Sequence, residues 1–171
     1  PMGFNSNQIN EVVNDNHDSG KTWNSHTHVL LFNRDELKIE ELQNQQINSL
    51  VFEKDFPSTF TFNGYHFEVA YINKSQIDLR KNFLYLDAQK ITFPITIRTW
   101  NHGDSFRPLG MQTHKKISDF FIDNKIDLFE KTKLPIVCND HNIIAVVPYR
   151  IDDRYKITDS TNNILRLKVT Q

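Results

Sequence analysis

A chain of 171 residues is long enough to bury about 70% of its unfolded surface in one ordinary domain or two small ones, so it needs no covalent staples. A single cysteine, Cys138, excludes an internal disulfide, and the longest apolar runs, such as Ile143 to Val147, fall far short of the roughly 20 residues a membrane helix needs. Net charge is −1, but residues 1–89 carry 7 Lys and Arg against 12 Asp and Glu while residues 90–171 carry 13 against 9, so a polyanion would meet the second half.

The chain opens Pro1-Met2-Gly3 without an initiator methionine, which reads as the start of a fragment, and the lack of a secretory leader points to a reducing, cytoplasmic setting. Ile9, Val12 and Val13 share one helical face and predict a short helix over residues 7–14. Asn14 to Gly20 reads as loop. His26 to Phe32 and Leu37 to Ile39 read as strands around a turn at Asn33–Asp35. Ser58 to Asn73 is the clearest hairpin, with Asn63-Gly64 as a type I′ turn. Phe83 to Leu86 and Pro94 to Thr99 are further strands. A helix capped by Thr113 and ending near Asp123 would turn Ile117, Phe120 and Phe121 to the core, and Asp127 would cap a second one ending near Lys133. Leu134 to Cys138 and Ile143 to Val147 form a hairpin, and Ile164 to Val169 a closing strand. Many short strands with two or three short helices indicate an α+β fold, mainly antiparallel. The change of charge balance suggests a soft boundary near Gln89, dividing a β-rich 1–89 from 90–171.

Several constellations are incomplete. Ser19-Gly20-Lys21 lacks the Walker glycine, because residue 15 is Asp15. His26 with His28, and Cys138 with His141, each supply two of the four ligands of a structural zinc site, so no metal is expected. No catalytic residue is assigned.

Arg98 to Phe121, RTWNHGDSFRPLGMQTHKKISDFF, is the most informative stretch. A basic, Gly- and Pro-punctuated loop runs into a helix start, where cations are disfavoured by about 0.3–1 kcal/mol each. Lys115 and Lys116 together would invite an anion there, and phosphate is the commonest. Gly103 and Gly110 let the loop turn, Pro108 fixes φ between them, and Asp104 would accept from the loop's own N–H groups. Arg107 suits a bidentate phosphate grip; its alternative is an ion pair with Asp104. Trp100 and Phe106 either stack on an unpaired base or fill the core.

Arg98, Gly103-Asp104-Ser105-Phe106, Pro108, Gly110, Lys115-Lys116 and Phe120, followed by Lys131, Pro135 and Ile151-Asp152-Asp153-Arg154-Tyr155, resemble the signature of the C-terminal domain of the bacterial tRNA(Ile)-lysidine synthetases. Asp18 through Leu37 resembles the segment before that domain. Lys131 stands where the family often has arginine, and Asp127 where it often has proline. The resemblance implies a fold similar to a domain of the phenylalanyl-tRNA synthetase β-subunit. It implies a tRNA-binding domain over 90–171, preceded by a linker or substrate-binding subdomain over 1–89. It also implies a parent ligase that uses ATP, with Mg, in a separate N-terminal catalytic domain. That enzyme adenylates the wobble cytidine of tRNA(Ile) bearing a CAU anticodon, lets lysine displace AMP, and so switches Met identity to Ile. No cofactor is expected in the chain itself, since the SGG-x-DS type of nucleotide loop does not occur. The expected tRNA-binding residues are Arg98, Arg107, His114, Lys115, Lys116, Lys131, Lys133 and Arg154, with Gly103, Asp104, Pro108 and Gly110 shaping the loop. Expected partners are the tRNA and the catalytic domain, with a homodimer left open. Two other readings stand beside this one: a docking or oligomerisation module that does not touch RNA, and an unrelated enzyme using His102, Asp104 and His114.

Overall fold

The computed structural model describes residues 2–14, 17–42, 47–79, 83–140 and 142–171. Asn5 and Gln8 bond reciprocally, each backbone N–H to the other's side-chain oxygen at 3.0 Å, and this capping box opens α1 (Ser6–Asn14). The helix stands where the Ile9, Val12, Val13 spacing predicts it, yet none of its residues is buried. Next come β1 (Thr22–Asn24), β2 (His28–Asn33) and β3 (Glu36–Glu41), an antiparallel sheet that buries Trp23 and Leu31. The three-residue β1 is too short to show alternation, and no sequence pattern predicts it. Of the loop expected over 14–20, residues 15 and 16, Asp15 among them, lie outside the described residues.

Two larger sheets form the body. Strands β4 (Ser49–Phe52), β5 (Thr59–Phe62), β6 (Tyr65–Ile72), β7 (Phe83–Asp87) and β8 (Ile95–Arg98) follow in order. Asn63 (φ 46°) and Gly64 (φ 86°) both take the left-handed backbone that the β5–β6 turn requires. The chain continues through β9 (Ser105–Phe106), β10 (Lys115–Lys116), α2 (Ile117–Asp123), α3 (Leu128–Lys133), β11 (Ile136–Cys138), β12 (Ile143–Val146), β13 (Arg150–Ile151) and β14 (Ile164–Thr170). One sheet runs β13-β12-β11-β8-β4, the other β5-β6-β14-β7, and every pairing is antiparallel. Strands from both sides of Gln89 share both sheets: β4 pairs with β8, and β14 lies between β6 and β7. The fold is therefore α+β and mainly antiparallel, with three short α-helices among the described residues.

Their common core includes Phe62, Phe67, Leu86, Ile95, Ile97, Ile136, Val146 and Leu165. Each such side chain contributes about 1.5–3 kcal/mol by leaving water. Ile117, Phe120 and Phe121 join it from α2, as their spacing predicts, and Phe106 from β9 is fully buried. Trp100 meets Phe121 edge-on at 5.4 Å, so this half-buried ring packs on the core and is not a free stacking platform.

One boundary differs. The cap of α2 is Lys116, not Thr113, because Lys115 and Lys116 pair with Phe106 and Ser105 as a short ribbon before the helix begins. The first helical N–H, of Ile117, goes to the Asp104 carbonyl at 2.9 Å. The N–H of Ile117 is thus already bonded, and Lys116 reaches solvent as part of the ribbon. Asp127 does cap α3, accepting from the Glu130 N–H at 2.9 Å, and it also binds Lys38 of β3 at 2.6 Å. No helix of the described residues is long and apolar enough to cross a membrane.

Candidate nucleic-acid interface

The loop after β8 is held by Asp104. Arg98 donates from both terminal nitrogens to its two carboxylate oxygens, at 2.7 and 3.0 Å, and the Asn101 N–H adds a third bond at 2.7 Å. Gly103 turns the chain at φ 93°. Burial pushes the Asp104 carboxyl up, but Arg98 and the Asn101 N–H outweigh it and hold the pKa below the usual value. Arg98, raised mainly by Asp104, stays a cation. Asp104 is bound by Arg98 and the Asn101 N–H; the alternative pair of Arg107 with Asp104 is not formed. A carboxylate committed in this way is a poor proton donor, and His102 and His114 are both exposed.

The next turn, 107–110, is stitched to the segment 151–153. Asp152 accepts the Arg107 N–H at 2.8 Å, and the Asp153 N–H returns to the Arg107 carbonyl at 2.7 Å. Leu109 donates to the Ile151 carbonyl at 2.9 Å, and Gly110 to Asp153 Oδ1 at 3.0 Å. Pro108 and Asp152 form an isolated bridge. Asp152 is fully buried, and its charge is met by Arg154, which folds back with Nε and Nη2 at 2.8 and 2.9 Å while Nη1 binds Asn142 at 2.6 Å. Burial raises the Asp152 carboxyl, but these donors prevail and lower it.

The residues expected to meet RNA divide accordingly. Arg98, Arg154 and Lys133 are committed to ion pairs with Asp104, Asp152 and Glu40. Lys115 pairs with Asp123, itself exposed, and Lys131 lies 6.0 Å over the Phe121 ring. Lys116 and His114 are exposed with no ion pair among the described residues. Arg107 is half-buried; its Nη2 is a loose 3.9 Å from Asp153 and its Nε has no partner. On the ribbon, Phe106 and Lys115 face each other on the inner side and Ser105 and Lys116 on the outer. Arg98, Asp104, Ser105, Asn139 and Asn142 line a polar cleft of about 460 Å³ beside it.

In sequence, Asp152 and Asp153 stand out only as part of a closing motif. Two adjacent acids in a basic half, followed by Arg154, are the signal that they serve internal cations. Among the described residues no group of three or more His, Cys, Asp or Glu is placed to hold a metal, and His141, the sequence neighbour of Cys138 in its incomplete ligand pair, lies outside them.

The antiparallel body with its stitched loop is the fold of a TilS C-terminal domain. A crystal structure of such a domain superposes with a TM-score of 0.61 at 21% identity, covering 72% of this chain and 97% of that one. The TilS substrate C-terminal domain model matches residues 95–168, and the TilS substrate binding domain model matches residues 1–42. The tRNA(Ile)-lysidine synthase of Parabacteroides distasonis is 35% identical over 85% of this chain, and that of Bacteroides thetaiotaomicron 28% over 99%. The chain belongs to the tRNA(Ile)-lysidine synthase family, as a C-terminal region. It spans 34% and 38% of the lengths of those two relatives. An N-terminal fragment of the phenylalanyl-tRNA synthetase β-subunit from Pyrococcus horikoshii also matches, with a TM-score of 0.43 at 18% identity over 51% of this chain and 27% of that one.

Proposed function

We propose that the chain holds tRNA(Ile) by its sugar–phosphate backbone while a separate catalytic domain of the same enzyme performs the chemistry. In this reading the catalytic domain uses ATP and Mg to activate the wobble cytidine of the CAU anticodon, and lysine displaces AMP. The setting is the cytoplasm. The part played here is positioning: bonds to phosphates fix register without reading sequence, and a held substrate lowers the barrier of a step made elsewhere.

The observation that carries the reading is Lys116. It stands exposed and without an ion pair among the described residues, on the outer side of a ribbon anchored through Phe106 to the core. Arg107, whose side chain is 27% exposed, adds a second cation directly after β9. Lys115 can exchange the solvent-facing Asp123 for a phosphate at little cost, since exposed ion pairs contribute only about 0–1 kcal/mol. Lys131 borders the same helix.

The test is a salt series. Replacing Lys115 and Lys116 with Glu should lower the slope of log affinity against log salt by about 0.7–0.9 for each phosphate that is no longer neutralised. An unchanged slope rules the assignment out. Initiator tRNA(Met), run in parallel, tells shared backbone grip from discrimination.

One feature favours the docking module. Ile9 and Val13 of α1 are 52% and 72% exposed, above an apolar groove of about 450 Å³ that reaches Leu30 and Ile39. Light scattering separates the readings: a stable dimer indifferent to tRNA would favour the module.

A further inference from the structure

A carboxylate with no solvent exposure, Asp152, lies against the backbone of Arg107. Asp152 touches no solvent, accepts four hydrogen bonds, and two of its donors are backbone N–H groups, those of Arg107 and Arg154. With Asp153 it fixes Arg107 from both sides: the N–H is bound by the Asp152 carboxylate, and the carbonyl by the Asp153 N–H. The Arg107 side chain is treated differently. Its guanidinium stays 3.9 Å from Asp153, and its Nε is left without a partner. That Nε is itself buried, and the side chain keeps 27% of its surface exposed above a locked backbone. Arg154 receives the opposite treatment, with all three of its nitrogens engaged.

We propose that Asp152 is a positioning residue for polyanion binding: it clamps the Arg107 backbone so that the guanidinium is presented to an RNA phosphate, and it commits the Arg154 guanidinium to the fold. The proposal rests on the tRNA-binding reading above. A phosphate grip depends on a pre-set donor angle, and a loop free to turn would lose that geometry before meeting its ligand. Asp152 itself does not touch RNA.

The test uses the 171-residue chain and tRNA(Ile) across a salt series. Asp152→Asn is made together with Arg154→Gln, so that no new cation is released to the surface. This pair and Arg107→Ala should each weaken binding by about tenfold, the scale of one charge-assisted hydrogen bond, and lower the salt slope by about 0.7–0.9. Combining all three should be no worse than Arg107→Ala alone. A purely structural role would lower thermal stability but leave the slope unchanged, or would add to the Arg107→Ala effect; either result overturns the proposal. If the Asp152 variant does not fold, Asp153→Asn, which frees Gly110 and loosens the same turn, carries the test with the same expected non-additivity. Lys116→Glu distinguishes the two levels. If it lowers the slope while the Asp152 and Arg107 variants do not, only the positioning role fails; if none of them changes the slope, the RNA reading fails as well.

Discussion

Arg98 and Asp104 close the loop between β8 and the ribbon with two parallel hydrogen bonds, at 2.7 and 3.0 Å, and this one pair ties the end of a core strand to the turn that carries Gly103. The same carboxylate takes the Asn101 N–H, and the backbone carbonyl of Asp104 takes the first N–H of α2. Strand end, turn and helix start therefore share one residue.

Acid should undo this junction. The folded Asp104 carboxyl titrates below its ordinary value, as do Asp127 and Asp152. The unfolded chain then binds more protons than the folded one, so their contribution is fully present above the unfolded carboxylate pKa, about 3.9, and is lost as pH falls through the lower folded values. Denaturant midpoints should hold near neutrality and drop below pH 4. Asp104→Asn should cost about 2 kcal/mol at pH 7 by leaving Arg98 poorly matched, and should flatten the acid decline. A variant that loses stability on acidification as steeply as the parent would contradict this assignment.

Lys125 offers a gain. It ends α2 in the left-handed region at φ 57°, where the Ile126 N–H reaches back to the Phe121 carbonyl at 2.9 Å. This is the helix-ending geometry that glycine occupies without strain. Lys125→Gly should stabilise the fold by about 0.5–1 kcal/mol, and Lys125→Asn by less, in a urea titration. A loss of stability with glycine would mean that the lysine side chain contributes more than its backbone strain costs.

Cys138 provides a label for unfolding. It is buried on β11, and that burial, opposed by Arg98, pushes the thiol up to about 11. Thiolate is the reactive form, so alkylation by iodoacetamide at pH 8 should be slow in the folded chain and proceed only as it opens. Fast labelling without denaturant would show that the strand is accessible.

What is legible in the sequence is local. Asn63-Gly64 announces its hairpin because two positive φ values in succession leave few other residues to choose. Ile117, Phe120 and Phe121 announce a buried face because their spacing matches a helical turn. The start of α2 is not legible, because Thr113 is a good cap by type, whereas the backbone of Ser105 and Phe106 competes for the residues after it, and that competitor is defined by the fold. Nearness in sequence suggests Asp104 as the partner of Arg107. The structure gives Asp104 to Arg98, since the turn at Gly103 brings the loop back to the strand it left. Counting charges along the second half does not distinguish Arg154, committed to Asp152, from Lys116, which is exposed. Only the hydrogen-bond partners that the fold supplies separate a cation that serves the fold from one left for a partner.

The placement of β14 between β6 and β7 has a consequence for biosynthesis. A ribosome would release the hairpin and β7 long before the strand that must join them, so the nascent chain carries two unsatisfied edges for much of its translation. Pairing over such a separation is slow, and an open edge during the delay is a template for a neighbouring chain. The greatest danger of self-association for this molecule therefore falls while it is being made, and it passes once the last strand slides into its slot.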